Sequence, residues 1–148
     1  MSRAQAPGER RADPAHAPER FAIREGLPRA VALALRDEGI DTTVLAPSAP
    51  GLALRDTFEG IPVHRFRYAP SAQETLAYTG TMGDQVRSGW NARFAFAGLL
   101  ANGLRHALRL VRETEADLVH AHWWVPGGVV GAAVNALKGV PLITTMHG

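Results

Sequence analysis

The sequence predicts an α/β protein with a Rossmann-like, doubly wound and mostly parallel sheet whose first strand is eroded or missing. Three observations carry this. Short β-rich runs alternate with amphipathic helical stretches along the chain. The last third, Ala116–Gly148, reads as strand, turn, helix and strand, the pattern of a βαβ unit with parallel strands. Earlier, a helix, a glycine stop and a strand at 28–46 form half of another such unit, with no convincing strand before it.

Met1–Glu19 is rich in Pro, Ala, Arg and Glu without apolar periodicity, and reads as a disordered tail before a domain at 20–148. Arg20–Arg24 alternates, with Phe21 and Ile23 on one side, but is a poor central strand. Glu25-Gly26-Leu27-Pro28 is a turn into a helix, and Pro28 suits a first helical turn. Leu27, Ala30, Val31, Ala34 and Leu35 are spaced as a buried stripe, with Arg29, Arg36, Asp37 and Glu38 away from it. Gly39 stops the helix, and Thr42–Ala46 is a strand closed by Pro47.

Ser48–Gly60 reads as a loop, and Ile61–Tyr68 as a strand near the sheet edge, where Pro62 is tolerated at the start. Ala69–Arg93 is long for a plain connection and suggests a lid, a binding loop or an irregular insertion. Phe94–Glu113 is a long helix with an apolar face of Ala97, Leu100, Leu104, Ala107, Leu108 and Val111. Arg105, Arg109 and Arg112 line its other side, better read as a solvated face than as a contact to anionic lipid.

Leu118–His122 is a short strand, and Trp123–Gly128 a turn. In the helix Val129–Lys138, Val130, Ala133, Val134 and Leu137 share one face. Gly139 stops it, Pro141 forbids its continuation, and Leu142–Met146 is a second strand delivering His147-Gly148 at its carboxyl end.

Composition narrows the function classes. Of 148 residues 46% are apolar, so the chain can bury a core. Net charge is only +2 and no dense basic block exists, which argues against a nucleic-acid partner. Absence of cysteine excludes disulfides, zinc–thiolate sites and thiolate catalysis. The N-terminus lacks the apolar stretch of a secretory signal, and no apolar run reaches spanning length, so cytoplasmic residence is the default expectation.

Parallel sheets bind ligands at the carboxyl ends of their strands. His147 and Gly148 follow such an end directly, which suits a general base or a phosphate partner, with a structural turn histidine as the alternative. Gly26 opens the first helix, whose free N–H groups suit a phosphate; a plain turn glycine is the commoner outcome, and no G-x-G-x-x-G fingerprint is present. Pro126-Gly127-Gly128 opens the last helix similarly, with close packing favoured over ligand approach. His120 and His122 share one strand face, but no third ligand completes a shell, so hydrogen-bonded strand-end histidines are favoured over metal. Trp123 and Trp124 suit stacking on a sugar or a half-buried cover over the strand end, in equal measure.

ADLVHAHWWVPGG, a small-residue helix and GVPLITTMHG together resemble the amino-terminal domain of glycosyltransferase family 4, retaining nucleotide-sugar transferases of the GT-B fold. GLPRAVALALRDEGIDTTVLAP and EGIPVHRFRYAP resemble the same domain in the right order. The resemblance covers Phe21 to Gly148 and implies the acceptor-side half of a two-domain enzyme, with no cofactor beyond a nucleotide-diphosphate-sugar co-substrate. It places His147 near the sugar and donor phosphate, with Gly26, Gly148 and Thr145 on the phosphate side, Trp123 and Trp124 as acceptor-side candidates, and Ala69–Arg93 towards the acceptor. The chain departs from the pattern at the first strand, in a first loop reduced to Gly26, and in ending before a donor-binding domain. The expectation is a truncated transferase domain inactive alone. The alternatives are the acceptor-side subunit of a split transferase, which binds a separate donor-domain chain, and a non-sugar Rossmann-like nucleotide binder.

Overall fold

Two small sheets and four helices make up residues 27–146, the part of the chain that the computed structural model describes. The readings for 1–19, Arg20–Arg24, Gly26, His147 and Gly148 lie outside it. In order, the elements are α1 (Leu27–Asp37), β1 (Val44–Pro47), β2 (Arg55–Phe58), β3 (Ile61–Phe66), a 3-10 turn (Ser71–Gln73), α2 (Met82–Ser88), α3 (Trp90–Thr114), β4 (Val119–His122), an irregular wide turn (Trp123–Gly128), α4 (Val129–Lys138) and β5 (Leu142–Thr145). The first sheet has the order β1-β3-β2, with β1 parallel and β2 antiparallel to β3. The second is the parallel pair β4-β5, not hydrogen-bonded to the first among the described residues. The architecture is thus mixed α/β, and one sheet is partly antiparallel.

β3 is the centre of its sheet, not the edge strand its proline suggested. β1 and β2 are the edges, and β2 lies in the stretch that reads as loop. Its residues Arg55, Asp56 and Thr57 are exposed, as polar edge strands are. Glu59 and Gly60 turn the hairpin with positive φ at both positions, 48° and 84°, the backbone of a tight two-residue connection. Pro62 lies opposite Thr57 and is exposed, while Ile61, Val63 and Arg65 on the alternate positions are buried.

α1 turns a different face inward from the expected stripe. Ala30 and Ala34 are exposed, and Ala32 is buried. Arg29, Ala32 and Arg36 stand at i, i+3 and i+7. The Arg29 guanidinium lies 5.0 Å from the Phe58 ring centre, and Arg36 Nη1 donates to the Glu59 carbonyl at 2.7 Å. Arginine stems cover apolar surface while their heads find acceptors, so the arginine face docks on the β2–β3 hairpin.

α3 spans the two sheets, touching β1, β3 and α4. It begins four residues earlier than its apolar pattern, at Trp90 rather than Phe94. Its innermost line is Ala95, Leu99 and Gly103, while Ala97, expected inside, is exposed. Small residues let the helix sit close: a Cβ on Gly98 would overlap the Tyr68 carbonyl oxygen, and one on Gly103 would meet Phe66 at 3.2 Å. The core is Phe66, Tyr68, Leu76, Ala77, Ala95 and Leu99. Leu76 and Ala77 come from Ala69–Arg93, so that segment folds into the core as an irregular insertion. Arg105, Arg109 and Arg112 are exposed, with Arg109 Nε on Glu113 at 2.6 Å. No described helix is long and apolar enough to cross a membrane.

Two histidines give this core a pH dependence. His106 stacks on Phe66 at 5.8 Å, and burial, then Arg105, Arg109 and Arg55, lower its pKa. His64 is lowered by burial and Arg55 in the same way. Both are held neutral in the fold, so the unfolded chain takes up their protons first. Stability is full above about pH 6.5, the ordinary histidine value, and falls as pH drops from there towards the lowered folded values. Thermal melts are expected to show a lower Tm at pH 5.5 than at pH 7.5, with a smaller difference in a His64→Gln/His106→Gln double variant.

Candidate functional site

The carboxyl ends of β4 and β5 gather most of the described residues singled out from the sequence. The strands run in register, with Val119 beside Leu142, His120 beside Ile143, Ala121 beside Thr144 and His122 beside Thr145. A strand alternates its faces, so Val119, Ala121, Leu142 and Thr144 point one way and His120, His122, Ile143 and Thr145 the other. α4 covers the first face. Val134 is fully buried there, and a Cβ on Gly131 would lie 2.5 Å from Leu142 Cδ1 and 3.5 Å from Ala121 Cβ. Leu137, expected on that buried stripe, is 61% exposed.

The second face holds the polar groups. His120 Nε2 and Thr145 Oγ1 are 2.7 Å apart, and the His120 and His122 rings stack with centres 4.6 Å apart and planes 25° from parallel. The stack orients both imidazoles, and the threonine ties one of them to the end of β5. Ile143 on this face is 50% exposed, so no described helix closes it.

Trp123 and Trp124 follow β4 immediately and are 53% and 68% exposed. Trp123 has left-handed backbone at φ 70°, which turns the chain sharply out of the strand. The glycines after them serve close packing: a Cβ on Gly127 would overlap the His122 carbonyl oxygen, and one on Gly128 would meet Thr144 Cγ2 at 3.4 Å. The exposed indoles thus flank a fixed strand end, offering flat apolar faces beside imidazole and hydroxyl hydrogen-bonding groups. That set suits a sugar, whose C–H faces stack on aromatic rings while its hydroxyls take hydrogen bonds. No three metal-ligating side chains gather among the described residues.

The structure brings together Thr145, Trp123 and Trp124 among the expected site residues. Gly26, His147 and Gly148 lie outside the described residues, and His147 follows Met146 directly in sequence. An open groove of about 320 Å³ lies elsewhere, between the Ser71–Gln73 turn and the start of α3, lined by groups such as Gln73, Thr75, Gln85 and Asn91. It holds no ionisable side chain and no aromatic ring, so it offers hydrogen bonds but no acid, base or stacking surface.

Sequence reasoning missed a buried polar cluster at the carboxyl ends of β1 and β3. Ser48 Oγ donates to Glu74 Oε1, the Tyr68 N–H donates to the same oxygen at 3.2 Å, and Arg67 Nη1 reaches Glu74 Oε2 at 3.4 Å. The Tyr68 hydroxyl accepts from the Leu76 and Ala77 N–H groups at 3.0 and 3.3 Å. No local pattern marks Glu74, because Ser48 comes from a distant stretch of chain and Arg67 and Tyr68 meet it only once the turn at Ser71–Gln73 has formed.

The family model for Glycosyltransferase Family 4 matches residues 29–148. No curated protein and no solved structure matches the chain significantly. The match runs from the first turn of α1 through the β4–β5 rim and its T-x-H-G ending, and so takes in every element described above: the chain belongs to glycosyltransferase family 4.

Proposed function

We propose that the chain is the acceptor-side domain of a retaining glycosyltransferase that uses a nucleotide-diphosphate sugar. The observation that supports this most is the β4–β5 rim, where the His120–Thr145 contact and two exposed indoles surround the end of a strand that leads into His147. In this reading Trp123 and Trp124 take the sugar or acceptor, and Thr145, Gly148 and Gly26 face the donor phosphates. His147 positions the donor or stabilises charge developing on the leaving phosphate. The two sheets are parts of one doubly wound GT-B half. The enzyme works in the cytoplasm, and a donor-binding domain outside these 148 residues, in the same or another chain, holds most of the nucleotide.

The 148-residue chain alone is therefore expected to turn over no nucleotide sugar. Purified protein incubated with uridine-, guanosine- and adenosine-diphosphate hexoses should release nucleotide no faster than buffer. Release above background that disappears in His147→Ala would show a complete donor site within the chain and overturn the division of labour.

A further inference from the structure

Arg65 lies on the inward face of β3 beyond Ile61 and Val63, and its side chain has no exposed surface. Nη1 is fully used, donating to the Ala53 carbonyl at 2.8 Å and to Asp56 Oδ2 at 3.1 Å. Nε and Nη2 are also buried and have no hydrogen-bond partner. Buried donors are paired in nearly all native structures, and an unmet one marks a missing water, an ion or a functional role. These two are adjacent on one cation. Together they form the side-on fork of the guanidinium, the edge that takes two oxygens of a single carboxylate or phosphate. Asp56, the carboxylate that does pair with Arg65, is 38% exposed and engages only Nη1. An oxyanion, with two oxygens on one centre, meets both donors at once.

Position and cover point the same way. Arg65 stands opposite Ala46 in the parallel pair β1–β3, near the carboxyl ends where such sheets receive ligands. The Tyr78 phenol lies beside the guanidinium: burial pushes it up to about 12, while Arg65, through its charge and a side-chain contact, pulls the other way. Its hydroxyl donates to the Pro47 carbonyl at 2.7 Å, yet the residue as a whole is 47% exposed. Its backbone is left-handed at φ 67°, a strained conformation for a side chain of this size. An outward swing of Tyr78 breaks its hydrogen bond to the Pro47 carbonyl, gives up its contact with Arg65 and uncovers the cation.

We infer that the Nε–Nη2 edge of Arg65 is an oxyanion-binding subsite covered by Tyr78, taking a carboxylate or phosphate group of a small ligand. It stands on the geometry around Arg65 and holds whether or not the β4–β5 rim binds a nucleotide sugar.

The test follows the Arg65 Nε–Hε resonance of ¹⁵N-labelled protein during titration with inorganic phosphate and, separately, acetate, at constant ionic strength. The Arg109 Nε–Hε group, paired with Glu113 on the exposed face of α3, is the reference. Expected is a saturable shift at Arg65 with a midpoint at least roughly tenfold below any change at Arg109, for one or both anions. Saturation by phosphate alone assigns a phosphate ester, by acetate alone a carboxylate, and by both the shared chemistry. In Tyr78→Ala the midpoint should fall about threefold or more, the cost of opening having been removed. No saturable shift, or an Arg65 shift that tracks Arg109, overturns the site, and an unchanged midpoint in Tyr78→Ala overturns the cover. Arg65→Lys should abolish saturable phosphate binding measured by calorimetry, and retained binding there overturns the assignment. The wild-type titration decides the matter even where Arg65→Lys fails to fold.

Discussion

Gly98→Ala is expected to destabilise the protein by about 3 kcal/mol or more. A Cβ at this position would overlap the carbonyl oxygen of Tyr68, and backbone on both sides leaves no side chain to move aside. α3 must instead retreat from the end of β3, loosening Ala95 and Leu99 in the core. The opposing effect is small: alanine is better than glycine inside a helix by about 1 kcal/mol. A drop in Tm of roughly 10 °C is the expected reading. Gly83→Ala on α2 is the matched control, because its Cβ would meet only the tip of the Arg87 side chain, at 3.6 Å. That variant should leave Tm unchanged or slightly raised. Equal melting of both variants would show that α3 does not press on Tyr68.

Glu74→Ala should cost about 3 kcal/mol, by a different route. The carboxylate is buried and accepts from Ser48 Oγ and the Tyr68 N–H. Truncation leaves both donors buried without a partner, at about 1–3 kcal/mol each. The ion pair to Arg67 adds little, since Arg67 is 54% exposed and solvent screens it. Glu74→Gln keeps one acceptor oxygen and should lose about half as much. Urea unfolding of the three proteins checks the order. If both variants lie within about 0.5 kcal/mol of wild type, the cluster does not hold this end of the sheet.

What could be read from the sequence follows from how local each signal is. The β4–α4–β5 unit was legible because its punctuation is local. Gly139, at φ 71°, closes α4 with its N–H on the Asn135 carbonyl, and Pro141 sits where a helix cannot continue. β2 was not, because Arg55-Asp56 opens it with two charged residues, Asp56 is a poor strand former, and Glu59-Gly60 is not among the strong hairpin pairs. The buried face of α1 was misread because its arginines count as polar, although their stems pack on the hairpin. Glu74 was invisible among polar neighbours, because Ser48 reaches it only after β1 and β3 have paired. At the rim, period-2 spacing showed that His120 and His122 share a face. Only the strand register shows Thr145 beside them.

The rim also offers the most direct measurement of function. Of the three tryptophans, Trp90 is 72% exposed at the start of α3, away from β4, so Trp90→Phe leaves Trp123 and Trp124 as reporters. Their fluorescence should change saturably with at least one nucleotide-diphosphate sugar, and the change should weaken in His147→Ala, while nicotinamide and flavin dinucleotides leave it unaltered. A saturable response to a dinucleotide, with none to any nucleotide sugar, would contradict a sugar-transfer site at the ends of β4 and β5.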